Sequence, residues 1–129
     1  MIESVRFLSL DEYGLAVQSL DECWTGDLIL ARDKKLFDWM FLRPSVWRQE
    51  EYSFAVAFSN DVPVGQLGGI PFEFNNFGKL GLGVWTANWS ITPKARSGPL
   101  GLKLLELFRR EAGELVMLFG MAPSIELRP

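Results

Sequence analysis

The 129-residue chain contains no histidine and a single cysteine, Cys23. Without histidine, a Ser-His-Asp triad cannot be assembled and most zinc sites lose a usual ligand. One cysteine cannot form an intrachain disulfide, and Cys23 has no imidazole to act as its base. We therefore interpret Cys23 as a structural thiol, and triad hydrolases and disulfide scaffolds are excluded.

The chain also lacks an excess of positive charge and any long apolar run. Thirteen Lys and Arg stand against sixteen Asp and Glu, a net charge of −3, so no general basic field favours nucleic acid. No segment approaches the roughly 18 apolar residues of a membrane span. The first residues include Glu3 and lack the apolar core of a signal peptide. We expect a cytoplasmic protein that binds neither nucleic acid nor membrane.

What is present is ordinary globular composition, rich in aromatic residues. Apolar residues make up 48% of the chain and charged residues 22%. Five Trp and ten Phe are available for a core, a pocket or an interface. The length suits one core, so we predict a single domain over residues 1–129.

The first half of the chain alternates between strand and helix patterns. Residues 4–8 predict a strand, and Asp11 is placed to cap a helix through about Leu20, with Glu12 in its first turn. Residues 27–42 predict either one helix or, with Asp33 as cap, a separate second helix beginning at Lys34. Three antiparallel strands are then predicted, over residues 52–59, 64–74 and 82–92, with turns at 60–61 and 75–79.

The second half contains the most clearly defined helix. It begins at Pro99 or Leu100, its apolar face repeats at helical spacing, and Gly113 is a natural stop. Residues 114–120 predict a buried strand parallel to the one before the helix, because a crossover helix joins them. The fold class is therefore α/β (α+β), with a mixed, mainly antiparallel sheet and helices on both faces.

The connection between that strand and helix has the composition of a phosphate cradle. The sequence TPKARSGPLG places Arg96, Gly98 and Gly101 between the strand end and the first helical turn. The first N–H groups of a helix have no internal partner, and glycine permits close approach of a phosphate to the backbone. An ordinary strand-to-helix connection with a surface arginine is the alternative interpretation.

These residues resemble the Gcn5-related N-acetyltransferase (GNAT) family. TANWSITPKARSGPLGLKLLELF is similar to that family's signature, in which a strand leads to Arg/Gln-x-x-Gly-x-Gly/Ala and a helix, and FDWMFLRP and VGQLGGIPFEF are similar to a subgroup. The resemblance covers roughly Val5 to Gly120. It implies acetyl-CoA or another acyl-CoA as co-substrate, without a metal, and transfer to an amine of a small molecule or peptide.

The resemblance also implies the residues that would contact the co-substrate. Loop and helix residues would face the diphosphate, and the strand end would contact the pantetheine arm. The implied set is Ile91, Thr92, Arg96, Ser97, Gly98, Leu100, Gly101, Leu102 and Lys103. Asn88 is the polar side chain nearest to the expected acyl-transfer point, and it is a candidate either for catalysis or for a structural hydrogen bond.

The chain departs from the family pattern at two points. Pro99 stands at the middle glycine of the motif and has no N–H to offer a phosphate. The family fold continues after the 114–120 strand, whereas about nine residues remain here. Three explanations of this short remainder stay open. The sequence is a fragment, a partner chain completes the pocket as in a homodimer, or the protein is a reduced form of the fold. A non-catalytic acyl-CoA-binding or assembly module is the alternative function.

Two expectations concern the strand before the motif. Trp85, Ala87, Trp89 and Ile91 alternate with polar residues and are predicted to share one buried face, which leaves Thr86, Asn88 and Ser90 toward a cleft. Glu73, a tempting general base, is expected opposite Trp85, too far from the active end of the strand.

Overall fold

The structure, a computed structural model, describes residues 2–24, 27–111 and 116–120. For Asn76 and residues 116–120 it describes the backbone and not the side chains. The elements, in chain order, are β1 (Glu3–Ser9), α1 (Tyr13–Cys23), α2 (Lys34–Phe41), β2 (Glu51–Ser59), β3 (Val62–Asn76), β4 (Lys79–Ile91), α3 (Leu100–Glu111) and β5 (Val116–Gly120). Short 3₁₀ turns lie at Ile29–Ala31 and Pro93–Ala95.

The strands form one sheet in the order β1-β2-β3-β4-β5. Neighbouring strands from β1 to β4 run antiparallel, and β5 runs parallel to β4. The mixed, mainly antiparallel sheet predicted from the sequence is confirmed, as is the crossover helix between the parallel strands. The predicted helix stop at Gly113 and the first two residues of the predicted strand, 114–115, lie outside the described residues.

Strand β2 is buried on both faces and divides the core into two halves. Phe54, Val56 and Phe58 pack with α1 and α2, whereas Ala55 and Ala57 pack with α3 on the opposite face. Large side chains on one face and small ones on the other follow directly from the period of two in a strand. The predicted helices on both faces of the sheet are thereby confirmed.

Helix α1 begins differently from the sequence expectation. It starts at Tyr13, and Glu12, not Asp11, occupies the N-cap position. The Glu12 carboxylate accepts hydrogen bonds from Arg6 on β1 (2.7 Å) and from the Ser9 amide (2.9 Å). These contacts hold the pKa of Glu12 at about 2, chiefly through the Arg6 hydrogen bond. The hydrogen bond from Arg6 of β1 to Glu12 sets the start of the helix, and the prediction that Asp11 caps it was therefore wrong.

Helix α2 begins where Asp33 caps it. The Asp33 carboxylate accepts a hydrogen bond from the Leu36 amide at 3.1 Å, and the helix starts at Lys34. The alternative with a separate second helix is thus confirmed, and a continuous helix over 27–42 is wrong. None of the helices that the structure describes is both long and apolar enough to cross a bilayer.

The hairpin turns fix the register of the sheet. The β3–β4 turn consists of Phe77 and Gly78, both at positive φ, between the paired residues Asn76 and Lys79. Glu73 therefore lies opposite Leu82, and its expected position opposite Trp85 was wrong by three pairs. This places Glu73 still farther from the α3 end of β4.

Candidate functional site

Strand β4 contains a bulge at Asn88, ten residues after Gly78 of the hairpin turn. Gln66 of β3 pairs with Ser90 and Gly68 pairs with Ala87, so Asn88 and Trp89 together oppose the single residue between those two on β3. Asn88 has a φ of 59°, a left-handed conformation that asparagine tolerates better than most residues. The extra residue changes which face each following side chain occupies.

The bulge separates side chains that strict alternation would group together. Ala87 packs with the α1–α2 half of the core, whereas Ile91 packs with the α3 half. The Trp89 indole lies beside Gly101 at the start of α3. Trp85 and Trp89 are 44% and 48% exposed. The prediction of one shared buried face was wrong, because alternation on β4 reverses at Asn88.

A buried hydrogen-bond chain joins α1 to this bulge. The Ser19 hydroxyl donates to Gln66 Oε1 at 2.6 Å, and Gln66 Nε2 donates to the Asn88 carbonyl at 2.8 Å. Both Ser19 and Gln66 are fully buried. Gln66 was not predicted from the sequence, although a polar amide side chain between Gly65 and the Gly68–Gly69 pair of a buried strand is a signal that could have identified it.

The edge of β4 that faces β5 is unpaired after Thr86, because the β4–β5 register ends there within the described residues. The Thr92 amide donates to the Val64 carbonyl at 2.7 Å, so the neighbouring Ile91 peptide groups point toward the opposite edge of β4. There the Ile91 carbonyl accepts a hydrogen bond from Arg96 Nε at 2.9 Å. The Thr92 N–H is thus occupied, while the Ile91 carbonyl retains one lone pair.

The beginning of α3 presents free backbone donors. Lys103 donates its N–H to the Pro99 carbonyl at 3.0 Å, which is the first hydrogen bond of the helix. The N–H groups of Leu100, Gly101 and Leu102 precede it, and no carbonyl in the described part of the chain accepts them. Helix α3 therefore has three adjacent donors without an acceptor. Those of Gly101 and Leu102 belong to residues that solvent reaches, whereas Leu100 is fully buried.

The preceding turn contributes less than the motif suggests. The Gly98 amide donates to the Ala95 carbonyl at 3.3 Å, so it is already engaged. Ser97 and Gly98 are exposed, and Arg96 directs its Nε toward the strand. Pro99 has no donor. Of the implied phosphate amides, those of Ser97 and Gly101 have no carbonyl partner and belong to residues that solvent reaches, whereas Leu100 is fully buried. The amide of the exposed residue Leu102 is also without a carbonyl partner.

Gly101 leaves space that the protein itself does not fill. A methyl group added there would lie 3.7 Å from Ile91 Cγ1 and 3.8 Å from Trp89 Nε1, which are ordinary contact distances. At Gly65, by contrast, the added carbon would lie 2.7 Å from the Ser90 carbonyl oxygen. Packing thus requires glycine at 65 but not at 101, and the absence of a side chain at 101 keeps the helix start open.

Positive charge surrounds this corner although the whole chain is acidic. Lys94, Arg96 and Lys103 are exposed, and the ion pairs of the described residues include none of them. Residues 91–105 contain no Asp or Glu. The local field therefore favours an anion where the helix dipole and the free amides also favour one.

Cys23, at the end of α1, faces Ser90 of β4. Burial raises the pKa of the Cys23 thiol above its usual value, with a smaller opposing contribution from Ser90. A thiol with a raised pKa is a poor nucleophile at neutral pH. The described residues also contain no cluster of three or more His, Cys, Asp or Glu side chains arranged to hold a metal ion.

Comparison with solved structures shows the same architecture in several acetyltransferases. An aminoglycoside acetyltransferase from an uncultured soil metagenomic sample matches with a TM-score of 0.69 at 18% identity, over 98% of this chain and 84% of that one. The fold is that of the Gcn5-related N-acetyltransferases. Glucosamine-6-phosphate N-acetyltransferase from Arabidopsis thaliana matches this chain with a TM-score of 0.62 at 13% identity, over 98% of this chain and 85% of that one.

Other solved structures match this chain over only part of a longer protein. A GCN5-related N-acetyltransferase from Anabaena variabilis matches with a TM-score of 0.58 at 15% identity, over 85% of this chain but only 26% of that protein. No protein-family model and no curated protein sequence matches the chain. At these identities the GNAT likeness shows the fold, and the chemistry has to be argued from the site.

Proposed function

We propose that the protein is an acyl-CoA-dependent N-acyltransferase that uses the α3 start and the adjoining end of β4. The observation that carries this proposal is the set of three free amides at Leu100, Gly101 and Leu102 among unpaired cations, directly after the bulged strand of a GNAT fold. An acyl-CoA would bring a diphosphate and an activated thioester carbonyl to this corner.

The residues present fit such a ligand in part. The amides of Gly101 and Leu102 would bind diphosphate oxygens, and the remaining lone pair of the Ile91 carbonyl would accept a hydrogen bond from an amide of the pantetheine arm. Pro99 removes one donor, and a hydrogen bond to a charged group is worth about 1.5–3 kcal/mol. Lys94 and Lys103 are placed to offset part of that loss through charge.

The acceptor is proposed to be a small-molecule amine, and amino sugars are the class to test first. Two solved proteins with this fold are named for acetylating an aminoglycoside and glucosamine 6-phosphate. A neutral amine would attack the thioester carbon, the C–S bond would break with its electron pair leaving on sulfur, and the surplus amine proton would pass to water. Glu73 lies on β3 near the hairpin turn, opposite Leu82 and away from the α3 end of β4, so we assign it no part in this transfer.

The test compares two glycines that lie early in helices. Gly101→Leu places a side chain at the proposed diphosphate site, whereas Gly14→Leu changes α1 at a position with no atom within 4 Å of the added carbon. We expect calorimetry with acetyl-CoA to show at least about tenfold weaker binding for Gly101→Leu, the equivalent of one lost hydrogen bond. Gly14→Leu should bind like the wild type. Equal heats for Gly101→Leu and the wild type, with both folded, would reject the site.

Turnover is tested separately with a panel of amines. Wild-type protein is incubated with acetyl-CoA and an aminoglycoside, glucosamine 6-phosphate or a peptide, and acetylated product is detected by mass spectrometry. Binding without any product would favour the second candidate, a non-catalytic acyl-CoA-binding or assembly module. That candidate is supported by Pro99 and by the half-exposed indoles of Trp85 and Trp89, which an interface with a second copy would cover.

A further inference from the structure

The side chain of Trp89 turns the edge of its indole toward the start of α3. A carbon added at Gly101 would lie 3.8 Å from Trp89 Nε1 and 4.0 Å from Trp89 Cζ2. The ring carbon that joins these two atoms is no nearer to that point, although it would be the nearest of the three if the flat face of the indole were turned there. The edge that carries the N–H therefore borders the space beside Gly101.

This space opens on the same side of the helix as the free backbone amides. The Cα–Cβ bond of a helical residue tilts toward the helix N-terminus, so the room left by the absent side chain of Gly101 faces the first turn. Within the described residues, no carbonyl accepts the N–H groups of Gly101 and Leu102. An anion in this space would meet two backbone donors from α3 and one side-chain donor from β4.

The bulge in β4 is what brings the indole to this side of the sheet. Plain alternation would put Trp89 on the face of Ala87, which packs toward α1 and α2. The extra residue at Asn88 instead turns Trp89 toward α3, the face on which Ile91 is buried. Bulges re-aim side chains in this way, and a non-glycine residue at positive φ carries a conformational cost. The position of the indole is thus built into the strand.

The indole N–H has no acceptor among the residues that the structure describes. Trp89 is 48% exposed, so a ligand can reach the ring without displacing the core. An indole nitrogen is a donor only, which means that it binds the oxygen of an anion and cannot bind a cation. The exposed cations around the α3 start favour the same sign of ligand.

We propose that the Trp89 indole is a phosphate donor, which together with the amides of Gly101 and Leu102 holds one phosphate of the acyl-CoA diphosphate. This inference rests on the proposed function. Hydrogen bonds from N–H groups to a charged oxygen are the stronger kind, so a third aimed donor adds both affinity and direction. The indole binds the nucleotide end of the co-substrate and touches neither the thioester nor the amine.

The turn before α3 explains why a side chain from the strand is useful here. Pro99 has no N–H, and the Gly98 amide already donates to the Ala95 carbonyl at 3.3 Å. Two positions that could have supplied backbone donors therefore supply none. Lysine side chains add charge at this corner, but their flexible stems fix no direction. The rigid indole of Trp89 supplies a directed donor in their place.

The test compares ligands with and without phosphate on three proteins. Trp89→Phe keeps an aromatic ring and removes the N–H, and Trp39→Phe makes the same change at an indole that is 67% exposed on α2. The ligands are acetyl-CoA, inorganic pyrophosphate, and acetyl-pantetheine, which has the thioester arm without any phosphate. Calorimetry measures affinity, and ¹H–¹⁵N NMR follows the indole resonances, of which that of Trp89 is identified by its loss in Trp89→Phe.

We expect Trp89→Phe to bind acetyl-CoA about 10- to 100-fold more weakly than wild type, as for the loss of one hydrogen bond to a charged group. Trp39→Phe should bind like the wild type. Acetyl-pantetheine should bind wild type and Trp89→Phe within about twofold of each other, because it brings no charged acceptor to the indole. Acetyl-CoA and pyrophosphate should each move the Trp89 indole proton downfield, and acetyl-pantetheine should not.

Three results would separate this inference from the proposed function. If folded Trp89→Phe binds acetyl-CoA as tightly as wild type, or the Trp89 resonance stays in place when wild type binds it, the indole is not a phosphate donor although the proposed function stands. Equal weakening of acetyl-pantetheine would also overturn the inference, because the ring would then contact the thioester arm. If wild type does not bind acetyl-CoA, the proposed function fails; a Trp89 shift with pyrophosphate would then retain the phosphate donor, and no shift would remove both.

Discussion

Replacing Gly65 with alanine should distort the end of β4, because β3 and β4 approach closely there. The added carbon would lie 2.7 Å from the Ser90 carbonyl oxygen and 3.1 Å from Ile91 Cα, and would overlap the Ile91 side chain. Relief requires the strands to separate by about 0.7 Å, the difference between 2.7 Å and the 3.4 Å at which ordinary contact begins. The obstacle is backbone, so a change of rotamer cannot remove it.

The expected loss of stability follows from two opposing effects. Overpacking costs about 1–3 kcal/mol, and the stiffer unfolded chain returns about 0.4–1 kcal/mol. Gly65→Ala should therefore lower the free energy of unfolding by about 1–2 kcal/mol. Gly14→Ala, which meets nothing within 4 Å in α1, should raise it by about 0.5–1 kcal/mol.

Urea unfolding followed by tryptophan fluorescence measures both variants. With a slope of about 1–3 kcal/mol per molar urea, their midpoints should differ by about 1 M. Because Ser90 and Ile91 lie at the proposed site, Gly65→Ala should also weaken acetyl-CoA binding. If Gly65→Ala proves as stable as Gly14→Ala, the close approach of β3 and β4 is not real and the geometry of the site loses its basis.

Three further predictions concern single contacts. Removing the α2 cap with Asp33→Ala should lower the free energy of unfolding by about 0.5–2 kcal/mol in urea, and an unchanged midpoint would contradict the cap. Asn88→Val should be about 1–2 kcal/mol less stable than Asn88→Gly, because a β-branched residue resists positive φ; equal stability would argue against the bulge. The lowered pKa of Glu12 means that its bond to Arg6 stabilises the fold above pH 4.5 and is lost as the pH falls toward 2. Acid titration of wild type against Glu12→Gln should show about 1 kcal/mol of this dependence, since the pair is partly exposed, and parallel curves would refute it.

Local signals predicted the element order well because each depends on neighbouring residues. The apolar repeat of α3, the Asp33 cap and the turn residues near Gly78 are read from a few positions each. The α1 cap was misassigned because the choice between Asp11 and Glu12 depends on Arg6 of β1, a partner that spacing along α1 does not reveal. Local chemistry therefore predicts elements, while their exact starts depend on tertiary contacts.

The candidate site was predictable at its helix and not at its strand. Gly101 and the cations around it stand out in the sequence, because the phosphate motif is contiguous. The bulge at Asn88 requires knowledge of how β3 and β4 pair, and a single extra residue reverses the faces of Trp89 and Ile91. Gln66 was missed for the same reason, since its partners lie on two other elements.

The inserted residue in β4 sets a rule for how this strand can diverge. Deleting Asn88 would restore plain alternation and rotate everything from Trp89 to Ile91 onto the wrong side of the sheet. Exchanging side chains along the strand changes neither the number of residues nor the face that each one occupies. Substitutions along β4 are therefore compatible with the arrangement of the site, whereas a change of one residue in length before Trp89 is not.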